Sequence, residues 1–277
     1  MTLPPDAQPG DCYEFYLVSY DNEGVQVVHD HIGTLCAGGI PGINTGTTWG
    51  TSWGGGGGGG GGASSTQPKT PCAALTRDGQ NAQTLAQMNQ LKAQLNDNKE
   101  HGVATYYGVN GAPTFTSVTG TAGQLGIFNW GISAGVASII HTHYSDPGSL
   151  SVFSEGDLQS LYILYNSGNI ANVSTFTTTI ITASGTVYSL AITNPTAFAN
   201  FGNTYDLSNL NSQLIGGQYT AYHITSTSTV TDNERWFVKM LSLLDTGLTL
   251  YKGDPNNFAS WQKLTYANGT ATTSPCN

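Results

Sequence analysis

Residues 135–157 read GVASIIHTHYSDPGSLSVFSEGD, and this stretch decides the fold of the chain. Its first part, Gly135–Ile140, is continuously small or apolar, which is typical of a strand buried on both faces of a sheet. Pro147 and Gly148 then predict a turn, and Ser154–Tyr165 has the pattern of a helix with one buried side. A buried strand, a turn-rich loop and a helix in this order indicate an α/β or α+β domain.

Periodic patterns predict further elements on both sides of this stretch. Residues 81–95 are expected to form an amphipathic helix, because their apolar residues recur at helical spacing. The turn at Ala183–Gly185 joins two strand-like runs and predicts a hairpin. The predicted strands are 102–107, 125–128, 135–140, 177–182, 186–192 and 247–251, and the remaining predicted helices lie near 196–201 and 232–244.

The N-terminal part of the chain has a different composition. Residues 13–18 and 25–28 read as two strands joined by a turn at Asn22–Gly24. Nine consecutive glycines, Gly54–Gly62, offer no side chain to bury and predict a flexible linker. We therefore divide the chain into a small β-rich segment (1–50), a linker (51–70), a core domain (71–205) and a C-terminal extension that packs on the core (206–277).

Composition and charge exclude several classes of partner. Only 9% of the residues are charged, and the formal net charge is −9. Because nucleic-acid binding needs clustered lysine and arginine, a nucleic-acid partner is not expected. No apolar run is long enough to cross a membrane, and residues 1–10 lack the pattern of a signal peptide. The low charge and the Thr- and Asn-rich composition favour a secreted or cell-surface protein, within a larger assembly.

The four cysteines, Cys12, Cys36, Cys72 and Cys276, are widely spaced and form no CxxC pair. This spacing argues against a zinc site built from thiolates. Two disulfides can form in three connectivities, and we expect Cys12–Cys36 and Cys72–Cys276, each within one compositional block. The alternative is four reduced cysteines.

The residues with the clearest chemistry are His141, His143 and Asp157. Alternation along a strand puts the two histidines on one face, about 6.6 Å apart along the backbone, close enough to share a metal. Asp157, in the first turn of the next helix, can return as an oxygen ligand. Two nitrogens, one carboxylate and an open position predict a catalytic zinc site. Alternatively, Ser154 and Asp157 form only a helix cap. A second His-x-His pair, His29 and His31, has no comparable surroundings.

The pattern His-x-His followed by Ser-x-x-Asp, after an apolar strand, resembles that of the JAB/MPN family of JAMM-motif zinc metallopeptidases. The ten residues 144–153 between the two parts make the loop three residues longer than the usual family spacing. The resemblance covers about residues 72–201 and implies a cytidine-deaminase-like mixed sheet. It also implies that a glutamate before an early strand acts as general base, and Glu100 matches that position.

By this resemblance, zinc activates a water molecule, Glu100 accepts its proton and Ser154 stabilises the oxyanion, so that a peptide or isopeptide bond of a protein substrate is hydrolysed. Two alternatives stand beside it. An amidohydrolase or PHP-type phosphoesterase needs further ligands from later strands, where His223 is the one histidine after His143. A surface-displayed binding or structural module would use the same fold without activity.

Overall fold

The computed structural model describes residues 68–276 except 109, 128, 129 and 268, and the backbone of residues 12–20 and 26–36. The chain divides into two compact units, Met1–Ser64 and Ser65–Asn277. In the first unit, β1 (Cys12–Tyr20) and β2 (Gln26–Cys36) pair antiparallel, as the two predicted strands require. The predicted turn, the glycine linker and the side chains of His29 and His31 lie outside the described residues.

The second unit contains an eight-stranded mixed sheet among its described residues. The strand order is β10-β9-β8-β7-β6-β5-β3-β4, where β5 and β6 are parallel and every other pair is antiparallel. The domain is therefore mixed α/β, as predicted. Its helices are α1 (Pro71–Gln80), α2 (Ala82–Ala93), α3 (Glu155–Asn166), α4 (Pro195–Thr204), α5 (Leu214–Ala221) and α6 (Val230–Leu243); its strands are β3 (His101–Tyr107), β4 (Pro113–Thr119), β5 (Ser138–His143), β6 (Thr177–Thr182), β7 (Val187–Ile192), β8 (Leu248–Asp254), β9 (Asn257–Ala267) and β10 (Thr270–Pro275).

Side-chain alternation divides the core between the two faces of this sheet. On one face, called here the four-helix face, Ala104, Ile139 and Ile180 pack with residues of α3–α6. On the other face, Val103 and Ile140 pack with residues of α1 and α2. Every residue of β5 is buried, as expected for a central strand covered on both faces.

Two strand predictions were wrong in position. Residues 125–127 of the predicted strand 125–128 are irregular, because Gly126 adopts φ 103°. The strand that follows β3 in the chain is β4 instead. The predicted strand 135–140 begins later, at Ser138, because Gly135 has φ 90°. β5 consequently runs through His143, and both histidines lie inside the strand rather than just past its end.

A third correction concerns His223, which the sequence placed in a strand. It follows α5 in a turn, is exposed and has φ 56°. The position offers no strand neighbour that would bring it toward the other histidines. It therefore gives no support to a site with several ligands from later strands.

A disulfide joins Cys72 in α1 to Cys276 after β10, one of the two predicted pairs. Cys12 and Cys36 are register partners in the β1–β2 pair, and their side chains lie outside the described residues. In the described ranges, no helix combines the length and apolar character needed to span a bilayer.

Replacing Cys72 and Cys276 by serine should lower the free energy of unfolding by roughly 2–5 kcal/mol. The bond closes a loop of 204 residues, so its loss frees a large part of the unfolded chain. Urea denaturation of the wild type and the double variant measures this difference. An unchanged midpoint would contradict a stabilising role for the bond.

Candidate metal centre

Strand register brings the predicted site residues to one face of the sheet. His141 and His143 alternate with Ile140, so they share the four-helix face with Ile139. In the antiparallel β3–β5 pair, Gly102 lies opposite His141. Glu100 directly precedes β3, and its carboxylate interacts electrostatically with both histidines.

The N-terminus of α3 brings Asp157 to the same place. Ser154 is the N-cap of α3, and its Oγ accepts a hydrogen bond from the Asp157 backbone N at 3.2 Å. Asp157 Oδ2 in turn accepts from the Ser154 backbone N at 2.6 Å and from Ser154 Oγ at 2.9 Å. This reciprocal capping box orients the carboxylate, so the predicted helix cap and the predicted ligand position occur together.

Both imidazoles face this carboxylate. Nε2 of His141 lies 2.9 Å from Asp157 Oδ1, and Nε2 of His143 lies 3.1 Å from Asp157 Oδ2. One potential ligand atom from each of the three residues lies within 4.8 Å of the other two. The histidines are buried, and the Asp157 side chain is 14% exposed. The three side chains are therefore close enough to bind one metal ion together.

The hydrogen bonds of the two rings fit a metal site. Nδ1 of His143 lies 2.9 Å from the Leu150 carbonyl oxygen, which can only accept, so Nδ1 carries the proton. In the neutral ring this leaves the Nε2 lone pair directed at the cluster. His141 Nε2 is within ion-pair distance of Asp157 but has no hydrogen-bond geometry, and neither ring nitrogen of His141 has a hydrogen-bond partner among the described residues. A bound cation would satisfy such a buried imidazole, whose nitrogens have no hydrogen-bond partner.

The cluster shifts the pKa values of Asp157 and His143 in opposite directions. Burial raises the pKa of Asp157, but His141 and His143 outweigh it and hold that pKa well below its usual range. Burial lowers the pKa of His143, but Asp157, Glu100 and the Leu150 carbonyl outweigh it and raise that pKa to about 9. In the metal-free protein His143 is thus protonated on both ring nitrogens, and a metal ion would displace the proton from Nε2.

The stability of the metal-free protein should fall as the pH rises from about 6.5 to 9. The folded pKa of His143 lies above its ordinary value of 6.5, so its contribution is complete below 6.5 and is lost through about 9. The expected loss is about 3 kcal/mol. Chemical denaturation across this range, with His143→Gln as control, measures it. Profiles of equal slope for both proteins would contradict the assignment.

Glu100 is a buried carboxylate beside the cluster. It is 4% exposed and lines one cavity of about 480 Å³ together with His141, His143, Ser154 and Asp157. Burial raises the pKa of Glu100, while the two histidines act in the opposite direction. The structure therefore places all five predicted site residues around the same cavity. His223 is not among the residues that line it.

Ser154 has a more local role than the sequence suggested. Its single hydroxyl proton is donated to Asp157 Oδ2, and the oxygen accepts from the Asp157 backbone. The hydroxyl would have to turn away from Asp157 before it could donate to an oxyanion. In this geometry Ser154 positions the carboxylate.

Three residues that contact the site were not predicted. Trp130 packs edge-on against His141, with ring centroids 5.7 Å apart. Because a Cβ at position 102 would lie 2.5 Å from the Trp130 ring, only glycine fits at that position of β3. Leu150 holds His143 through its carbonyl, and Tyr219 donates to the Phe153 carbonyl at 2.9 Å, which anchors the loop before α3. The one signal of these contacts in the sequence is Gly102, because a glycine in a predicted strand suggests that another group approaches closely.

Comparisons of the chain with protein-family models, with curated proteins and with solved structures find no match.

Proposed function

We propose that the chain is a zinc-dependent hydrolase that cleaves a peptide or isopeptide bond, built on a JAB/MPN-like core. The observation that carries this proposal is the convergence of His141, His143 and Asp157 within 4.8 Å, beside the buried carboxylate of Glu100. The chain order supports the family resemblance: α2, Glu100, β3, β4, then β5 with both histidines, and α3, which Ser154 caps and which contains Asp157.

The donor set favours zinc. Two imidazoles and one carboxylate, with no thiolate, form a borderline donor set that zinc accepts in catalytic sites, and three protein ligands leave a position open. The only cysteines among the described side chains are joined in the Cys72–Cys276 disulfide. When bound, zinc would supply Lewis-acid chemistry, which acidifies water and polarises a carbonyl.

Glu100 would carry the proton through the reaction. It would accept a proton from the water whose oxygen bonds to the substrate carbonyl carbon. As the carbon–nitrogen bond breaks, Glu100 would give this proton to the leaving amine, so that a carboxylic acid and an amine are formed. A pKa raised by burial suits this exchange, because it brings the carboxyl closer to the working pH.

The surroundings of Glu100 also bear on the alternative of an inactive binding module. A carboxylate that is 4% exposed costs free energy to bury. It lines an open cavity next to potential ligands, where it can reach a bound molecule. A purely structural site would be expected to close its coordination with a fourth protein side chain. The described residues supply three such ligands.

The proposal is tested by hydrolysis of a fluorogenic peptide library by the full chain. We expect turnover with one equivalent of zinc, loss of turnover on chelation and recovery when zinc is restored. An inhibitor of serine or cysteine proteases should have no effect. Turnover that persists after complete removal of metal would contradict the proposal.

A further inference from the structure

We infer that the cavity between α3 and β5–β6 is a specificity pocket for one large apolar side chain of a peptide substrate. The inference rests on the proposed function and names a preference at that same site. The occupied position would be a residue next to the bond that is cut. Substrates with glycine or a charged residue at that position would be poor.

The cavity lies beside the proposed metal centre. It has a volume of about 310 Å³ and is lined at one end by His141 and Asp157. Trp130, Ser160 and Leu210 line both this cavity and the larger one that contains Glu100. A bound chain with its scissile carbonyl at the metal centre could therefore place a neighbouring side chain here.

Apolar side chains from the sheet and from α3 line the cavity. The sheet contributes Ile139 and Thr178, and α3 contributes Leu161 and Leu164, all buried. Among the described lining residues, the only ionisable side chains are those of His141 and Asp157 at the site itself. Apart from these two groups, which the metal centre would engage, a charged side chain would find no counter-ion in the described lining and would lose its hydration, whereas an apolar one gains by burial.

Exposed apolar side chains lie at the entrance to the cavity. Ile163 and Leu210 line the cavity but are 36% and 54% exposed, so their apolar surface faces solvent at its mouth. Leu125, at 41%, lines the adjoining cavity. Among the described residues, only Leu243 is a further exposed large apolar side chain, and it lines neither cavity. Exposed apolar surface is thus concentrated where a substrate would pass.

The volume agrees with this occupant. About 310 Å³ is at the lower end of the range for small-molecule pockets, roughly 300–1,000 Å³. Because a cavity of about 150 Å³ already holds benzene, one aromatic or branched aliphatic side chain fits here with room to spare. Trp130, held over Gly102 and against His141, forms the wall nearest the metal centre.

The first experiment measures binding without catalysis. N-acetyl-4-fluorophenylalanine amide is titrated into the metal-free full chain and observed by fluorine NMR. We expect saturable binding that N-acetyl-leucine amide competes for and N-acetyl-aspartic acid amide does not. Leu210→Asp should weaken binding at least tenfold, and Leu243→Asp, the matched control at an exposed leucine, should leave it unchanged. No binding by the wild type, or equal weakening by both variants, would overturn the inference. Competition by hexanoate alone would assign the cavity to an acyl chain and would also overturn it.

The second experiment measures peptide preference in the zinc-loaded chain. Peptides that differ only next to the cleaved bond should show kcat/KM about 100-fold higher for phenylalanine or leucine than for glycine. Ile163→Asp should lower this ratio at least tenfold. Turnover without such a preference would overturn the pocket and leave the hydrolase proposal standing. If no peptide is cut while the phenylalanine amide still binds as described, the hydrolase proposal fails and the pocket stands.

Discussion

Asp157→Asn is expected to lower zinc affinity by more than about 100-fold, since loss of even an outer partner of a ligand typically costs 10–100-fold. Asp157 is the only acidic member of the cluster and contacts both histidines, at 2.9 and 3.1 Å. The amide keeps the size of the side chain and part of its capping ability but removes the charge. Zinc content after dialysis, measured by inductively coupled plasma mass spectrometry, should fall from about one ion per chain to a trace. His141→Ala should give the same result.

The chain contains a matched control for this substitution. In α6, Asp232 occupies the same third position after the N-cap, and its backbone N donates to Thr229 Oγ1 at 3.1 Å. Thr229 Oγ1 donates back to Asp232 Oδ2 at 2.8 Å. This cap has no histidine ion pair, so Asp232→Asn should weaken a helix cap without loss of zinc. Equal zinc content in both aspartate variants would contradict the assignment of Asp157 as a ligand.

Glu100→Gln is expected to lower kcat by about 10²–10⁴-fold while zinc stays bound, because proton transfer by a positioned side chain contributes that much. The amide cannot accept the proton, yet it preserves the volume of a side chain that is 4% exposed. In the wild type, kcat/KM should rise with pH through the raised pKa of Glu100, since only the carboxylate acts as base. Stopped assays across pH, together with zinc analysis, measure both effects.

The control for Glu100 is Glu155, an exposed carboxylate in the first turn of α3 that lines the same cavity. Glu155→Gln should change kcat by less than about threefold, because Glu155 is exposed and lies outside the cluster of His141, His143 and Asp157. A large loss in this variant, with Glu100→Gln active, would move the general base from Glu100 to Glu155.

The clustering of His141, His143 and Asp157 could be predicted because strand alternation and helix capping are local rules. His141 and His143 are two residues apart in a strand, which fixes their common face, and the Ser154–Asp157 spacing is that of a capping box. Glu100 could be placed only by the order of elements. Its position beside the two histidines depends on the pairing of β3 with β5, which residue spacing does not encode.

Other parts of the fold depend on tertiary contacts and were missed. Trp130 lies in an irregular segment and reaches His141 only because Gly102 on β3 leaves room for its ring. α5 contains Gly216 and Gly217, which disfavour a helix, and it is held by burial of Ile215 and Tyr219. By contrast, α1 and β10 had usable signals. Thr70 before Pro71 predicts a helix start, and the Asn268-Gly269 pair predicts a hairpin between β9 and β10.

X-ray absorption at the zinc K-edge, on the full chain loaded with one equivalent of zinc, reports directly on the ligands of the metal. We expect scattering from two imidazoles and oxygen ligands, with no sulfur shell near 2.3 Å. The imidazole contribution should fall in His143→Ala and stay unchanged in His223→Ala. A sulfur shell, or an imidazole contribution that survives replacement of His143, would contradict a centre built from His141, His143 and Asp157.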